Sequence, residues 1–162
     1  MLRHIDFAGG PSVVELGIGT GVFTRQIGAR LGSTGSYLGV EIDPAFVARA
    51  QKQWPGLECV CASAETLPAL LRARGLSHVD HVISGLPFAS LPAAVTRAIL
   101  ASLRDSIRPG GTFTTFQYVH GYRLPLAVAF RRQMDETMGS TSTCRLVMRN
   151  IPPAYVLSWT RT

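Results

Sequence analysis

The chain has 162 residues, 46% of them hydrophobic and 16% charged, which suits one globular domain with a single buried core. No apolar run reaches the roughly 20 residues that a membrane-spanning helix needs, and the opening MLRHIDFAGG lacks the apolar centre of a secretory signal, so a cytoplasmic location is expected. The net charge of +6 is one-sided: residues 1–80 balance seven basic against seven acidic side chains, whereas residues 81–162 hold nine Arg against Asp105, Asp135 and Glu136. Such placement points to an anionic partner, either nucleic acid or a lipid head-group surface.

Apolar, β-branched runs predict strands at Val13 to Leu16, Tyr37 to Val40, Leu57 to Cys61, His78 to Ile83, Thr112 to Val119, Thr143 to Met148 and Tyr155 to Trp159. Helices are predicted between the first five, at about Val22 to Leu31, Pro44 to Trp54, Thr66 to Arg74 and Pro92 to Ile107. Proline after Asp43 and after Leu91 marks two helix starts, and Arg108-Pro109-Gly110-Gly111 is expected to stop the fourth helix and turn into the fifth strand. Alternation of this kind predicts a doubly wound α/β domain covering residues 1–162, with a ligand at the carboxyl ends of the strands. After Val119 the pattern changes to a helix containing Leu126 to Met138 and then two strands with no helix between them, expected as a hairpin at the sheet edge, giving seven strands, mostly parallel, with an antiparallel edge strand. Cys59, Cys61 and Cys144 lack metal-ligand spacing and read as buried free thiols, and the four His show no pairing, so no metal site is expected.

The first strand runs directly into a glycine ladder, VVELGIGTG, with Gly17, Gly19 and Gly21 at alternate positions. A dinucleotide fingerprint would place its third glycine at Val22. Two carboxylates frame the ladder. Glu15 precedes the glycines, where it suits a cationic ligand better than a pyrophosphate, and Glu41 ends the second strand in GVEID, where a carboxylate can accept both hydroxyls of a ribose.

Together E-L-G-x-G-x-G and V-E-I-D resemble the cofactor motifs of class I S-adenosylmethionine-dependent methyltransferases, a Rossmann-like family, over nearly the whole chain. The resemblance implies that Gly17, Gly19 and Gly21 let the backbone pass against the methionine part of the donor. It also implies that Glu15 orients the ammonium or nearby amides, that Glu41 holds the ribose and that Ile42 lies on the adenine. By the same resemblance the loop Ala62-Ser63-Ala64-Glu65 meets the adenine edge, with Ala64 offering its N–H and Glu65 accepting from the exocyclic amine, although Glu65 also suits a first-turn helix carboxylate.

The end of the fourth strand, Ser84-Gly85-Leu86-Pro87-Phe88, is similar to the acceptor motif of methyltransferases that modify exocyclic amines of nucleic-acid bases, where a polar side chain grips the amine and an aromatic ring stacks on the base. Here Ser-Gly stands where the adenine dimethylases have Asn. SGLPF, RPGGTFTTFQYVHG and RNIPPAYV, taken in that order, most resemble the bacterial phospholipid N-methyltransferases. This resemblance implies methylation of phosphatidylethanolamine and its methylated derivatives, S-adenosylhomocysteine as product, and a monomer held peripherally on the anionic inner face of the cell membrane. It implies Ser84 beside the donor, acceptor contacts from Gly85, Leu86, Pro87, Phe88, Arg123 and Asn150, and a catalytic Tyr118 that accepts an amine hydrogen bond and then holds the methylated ammonium by cation–π attraction. Arg131 and Arg132 are further candidates for the lipid phosphate, with a solvated helix face as the plainer reading. Leu126, Phe130 and Met134 read as a core stripe more readily than as a membrane face. Lipid-modifying members carry an amphipathic membrane-binding segment before the first strand, where this chain has 12 residues before Val13. The competing readings are an rRNA adenine N6-methyltransferase-like enzyme and a donor-binding module without catalysis.

Overall fold

A computed structural model describes residues 1–148 and 152–162. Seven strands form one sheet in the order β3-β2-β1-β4-β5-β7-β6: β1 (Ser12–Leu16), β2 (Ser36–Glu41), β3 (Glu58–Cys61), β4 (Val79–Ser84), β5 (Ile107–Tyr118), β6 (Thr143–Val147) and β7 (Ala154–Thr160). The first five are parallel, and β7 runs antiparallel to both β5 and β6. The expected hairpin therefore lies at the sheet edge, with the antiparallel strand inserted between β5 and the outermost β6. Strand order reverses between β1 and β4, which opens a crevice above their carboxyl ends.

Each strand alternates its side chains between two helical layers. One face carries Val13, Tyr37, Cys59 and Ile83, which pack with Ile27 of α1 (Val22–Gly28) and with Val47 and Ala50 of α2 (Pro44–Gln53). The other carries Val14, Leu16, Val40, Val82 and Phe113, covered by α3 (Leu67–Arg72), α4 (Ala93–Ser106) and α5 (Pro125–Met138). In α5 the buried stripe is Ala127, Phe130, Met134 and Met138, whereas Leu126 is exposed. Trp159 is fully buried and donates its indole N–H to Asp135 at 2.6 Å.

Three expectations need correction. The Arg108–Gly111 stretch does not connect a helix to a strand but lies inside β5 as a bulge: pairing with β4 slips between Val79↔Ile107 and His81↔Thr112. The bulge is held by Gly110 N–H to the Arg161 carbonyl at 2.7 Å and by Arg108 on Asp80 at 2.5 Å. Asp80 also accepts from the backbone and hydroxyl of Ser12, each at 2.7 Å. Burial pushes its carboxyl up, but these bonds and the Arg108 charge outweigh it and hold the group at about 2. Secondly, α1 ends at Gly28 instead of Leu31, because the chain must turn through Gly32 at φ 66° to enter β2. Thirdly, only Cys59 is buried; Cys61 and Cys144 are exposed free thiols. No group of His, Cys, Asp and Glu among the described residues could hold a metal ion, and no described helix is long and apolar enough to cross a membrane.

Candidate active site at the head of the sheet

The glycine turn after β1 is the floor of the site. Gly17, Gly19 and Gly21 all have positive φ (78°, 51° and 79°), a run that side-chain-bearing residues adopt only with strain. A Cβ at Gly21 would stand 2.1 Å from the Trp54 ring, whereas a Cβ at Gly19 would meet nothing within 4 Å. Gly21 thus packs against the protein and Gly19 faces open space, as a turn does when something else is to lie against it.

Glu41 closes this turn from β2. One carboxylate oxygen accepts from Gly19 N–H at 3.0 Å and the other from Ile42 and Asp43 N–H at 2.8 and 3.0 Å. Three of the four lone-pair sites are thus taken, and the one left free, on the oxygen that faces Gly19, can still accept from a ribose hydroxyl. Beside it Ile42 is 73% exposed, an apolar side chain presented to whatever lies over the turn. The loop after β3 adjoins it, since Ala62 N–H donates to the Glu41 carbonyl at 2.9 Å and Cys61 Sγ to the Ile42 carbonyl at 3.5 Å. In that loop Ser63 caps a short 3-10 turn by accepting from Glu65 N–H, Ala64 is buried and Glu65 is exposed. Gly17, Gly19, Glu41, Ile42 and the Ser63–Glu65 loop thus adjoin one another at the head of the sheet, with Gly21 packed behind them.

Glu15 is wholly buried beneath the turn. Its Oε2 accepts from Thr24 at 2.7 Å and Tyr37 at 2.6 Å, and its Oε1 has no partner. Gly39, opposite Glu15 in the sheet, makes the Tyr37 contact possible: a Cβ there would stand 2.7 Å from the Tyr37 hydroxyl. Burial drives the Glu15 carboxyl up to about 7 against the opposing pull of these two hydrogen bonds. In its ionised form this group stabilises a cation and repels a phosphate, and a cation beside it favours that form.

From the floor a cleft of about 530 Å³ extends over Gly17, Gly85, Phe116 and Tyr118 towards β7 and β6. Its wall is aromatic. Phe23 of α1 lies 6.4 Å from Phe116, Phe116 meets Tyr118 edge-on at 5.3 Å, and Tyr118 stacks on His120 at 5.6 Å. Tyr118 is 39% exposed at the mouth.

The structure corrects part of the expected acceptor motif. Phe88 is buried, stacked on Phe130 at 4.2 Å and edge-on to Phe113, so its ring belongs to the core under α5 and is not presented to a ligand. Ser84 is also fully buried, with its hydroxyl accepting from Leu86 N–H at 3.2 Å and its carbonyl from Thr115 at 3.1 Å. Gly85 does line the cleft; a Cβ there would stand 2.8 Å from the Gly17 carbonyl, so no larger residue fits between the two strand ends. Leu86 packs over Gly17 and Pro87 is exposed. Arg123 is exposed. Arg131 is occupied, donating to Gln117 at 2.6 Å and the Tyr122 carbonyl at 2.8 Å while lying over the Tyr122 ring, and Arg132 pairs loosely with Glu136. Asn150 lies outside the described residues. The sequence reading missed Phe23, Phe116 and Val156 of the cleft. Phe116 was within reach, two residues from Tyr118 and so on the same face of β5, but Val156 arrives only through the β5–β7 pairing.

A family model described as "Methyltransferase domain" matches residues 13–111. An ornithine lipid N-methyltransferase from Singulisphaera acidiphila is 29% identical over 158 residues, covering 94% of this chain and 77% of that protein. Among solved structures, human methyltransferase-like protein 13 in complex with S-adenosylhomocysteine superposes with a TM-score of 0.73 at 17% identity, covering 96% of this chain and 74% of that one. Fibrillarin from Aeropyrum pernix with natively bound S-adenosylmethionine gives 0.72 at 15% identity, covering 93% and 66%.

Proposed function

The chain belongs to the methyltransferase domain family and has the S-adenosylmethionine-dependent methyltransferase fold, and from that premise we propose that it methylates the amine of a membrane lipid head group. S-adenosylmethionine, when bound, would supply a sulfonium methyl to which a neutral amine forms its N–C bond as the C–S bond breaks, leaving S-adenosylhomocysteine and a methylammonium that sheds its proton to solvent. The residues present fit that donor: an open glycine turn, a carboxylate for the ribose at Glu41, an exposed apolar platform at Ile42, the Ser63–Glu65 loop for the adenine edge, and a buried carboxylate with a free oxygen at Glu15. What the protein contributes is alignment and exclusion of water, since such a displacement needs no nucleophile from the enzyme.

The observation that carries the acceptor assignment is the aromatic wall Phe23–Phe116–Tyr118–His120. The Tyr118 hydroxyl accepts a hydrogen bond from the incoming amine, and the ring faces attract the methylated ammonium, worth roughly 0.5–2 kcal/mol. Gly85 lines the cleft and lets its strand end pack against the Gly17 carbonyl, with Leu86 over Gly17. Burial of Phe88 removes the ring that would stack a base, which weighs against a nucleic-acid acceptor. Exposed Val119, Leu124, Leu126 and Val128 beside Arg123 supply an apolar and basic surface suited to peripheral contact with an anionic bilayer at the inner face of the membrane. Phosphatidylethanolamine with its methylated derivatives is the proposed acceptor, and the ornithine lipid relative makes an amino-acid lipid the one to compare with it.

The test is transfer of labelled methyl from S-adenosylmethionine to vesicles containing either lipid, with structured RNA in parallel. Incorporation into lipid that falls at least about tenfold in Tyr118→Ala supports the reading. Incorporation into RNA alone, or none by a preparation that binds S-adenosylhomocysteine, overturns it.

A further inference from the structure

A second recess of about 460 Å³ adjoins the cleft and shares Val147 and Val156 with it. Its cationic members are the guanidinium groups of Arg3, from the N-terminal 3-10 turn (Leu2–His4), and of Arg145, from β6, beside the α-amino group of Met1, whose pKa is lowered by burial and by the two arginines; its apolar members include Leu146 and Met148. Both arginines are exposed, and neither makes a hydrogen bond or an ion pair among the described residues. They contrast with Arg74, Arg108, Arg131 and Arg161, each held by a carboxylate, amide or carbonyl. Two cations without counter-ions in one recess repel each other and so favour an anion between them.

Sheet register fixes where that anion would lie relative to the aromatic wall. Arg145 pairs with Val156, which pairs with Phe116, while Val147 pairs with Ala154, which pairs with Tyr118. Arg145 therefore projects from the same face of the sheet as Phe116 and Tyr118, two strands across and one same-face step below Tyr118. Strand spacing and rise put the two Cα atoms on the order of 12 Å apart, and both side chains are long enough to reach inward and bracket a short head group. Exposed Met148, which follows β6 and lines the same recess, gives the acyl end an apolar exit.

We propose that Arg3 and Arg145 form an anion subsite that holds the negative charge of a zwitterionic lipid head group while its amine sits at Tyr118. This rests on the lipid-amine reading above and adds to it the requirement for an anion in the acceptor. Two head-group chemistries offer the same combination of amine and single negative charge: a phosphodiester, as in phosphatidylethanolamine, and a carboxylate, as in an ornithine lipid.

The experiment presents the whole chain with neutral detergent micelles, which remove bulk attraction to an anionic surface. The micelles contain phosphatidylethanolamine, an ornithine lipid or a long-chain primary amine that lacks an anion. For the wild type, kcat/KM for the anion-bearing amines should exceed that for the plain amine. Arg145→Gln and Arg3→Gln should each cut that preference by about tenfold, mainly through KM, the scale of one charge-assisted contact. Arg145→Lys should retain part of it, and stabilisation by S-adenosylhomocysteine should match the wild type in every variant. Loss of preference with only one of the two lipids supports the subsite and identifies its anion. If the wild type methylates both lipids but the Gln variants keep its KM and its preference, the subsite is wrong and the lipid reading stands. If the wild type methylates neither lipid, both fall together.

Discussion

Replacing Glu15 by Gln tests the electrostatics of the site without any substrate. The Glu15 carboxyl titrates at about 7 in the folded chain against an ordinary 4.5, the cause being burial only partly offset by Tyr37 and Thr24. Between those values the folded state holds a proton that the unfolded chain has released, so the group's contribution to stability is complete below pH 4.5 and is withdrawn as pH rises through 7. At about 1.4 kcal/mol per pKa unit the loss is about 3 kcal/mol, roughly 6–12 °C in melting temperature for a domain of this size. His81 acts in the opposite sense: burial lowers its pKa, so its contribution grows with pH until the unfolded imidazole has also lost its proton. Comparison of the wild type with Glu15→Gln cancels that background. Melting temperatures of both proteins, measured without ligand from about pH 4.5 to 8, should diverge, with the wild type falling relative to the variant and most of the change lying between pH 5 and 7. Parallel curves would refute a buried, half-satisfied carboxyl at this position.

The glycines of the turn should separate by role. Gly19→Ala adds a methyl group facing open space, so it should cost only the backbone strain of about 1–2 kcal/mol and yet abolish S-adenosylhomocysteine binding, measured by calorimetry. Gly21→Ala also collides with Trp54 and should cost about 2–5 kcal/mol in denaturant titrations. Phe88→Ala should destabilise by about 3–5 kcal/mol as a core cavity, and the milder Phe88→Leu should lower the melting temperature while leaving the acceptor KM near that of the wild type. A raised KM with unchanged melting temperature would mean that the ring meets the acceptor.

The elements that sequence patterning located best are those fixed by local rules. Alternation of apolar runs with proline-started helices placed β1 to β4 and α2 within a residue or two, because Asp43 and Pro44 encode a cap and a first turn irrespective of the rest of the fold. The glycine turn and its two carboxylates were legible for the same reason: the demand for positive φ and the carboxylates at the ends of β1 and β2 lie within short stretches of chain. Features that depend on distant partners were not. Nothing near Phe88 says that Phe130 will come to stack on it, and nothing near Arg131 says that Gln117 and Tyr122 will occupy it. The bulge at Arg108–Gly111 looks like a helix stop until Asp80 and Arg161 hold it in the sheet. Likewise the Val147 and Val156 side of the cleft and the Arg3–Arg145 recess exist only once β7 has paired with both β5 and β6.

The central claim is that the turn at Gly17–Gly21, between Glu15 and Glu41, seats an adenosyl group bearing a cationic tail. Ligand-induced stabilisation measures this directly. S-adenosylhomocysteine should raise the melting temperature of the wild type in a concentration-dependent way, and NAD and ADP at the same concentrations should leave it where it was. Stabilisation by the diphosphates with none by S-adenosylhomocysteine would contradict the account.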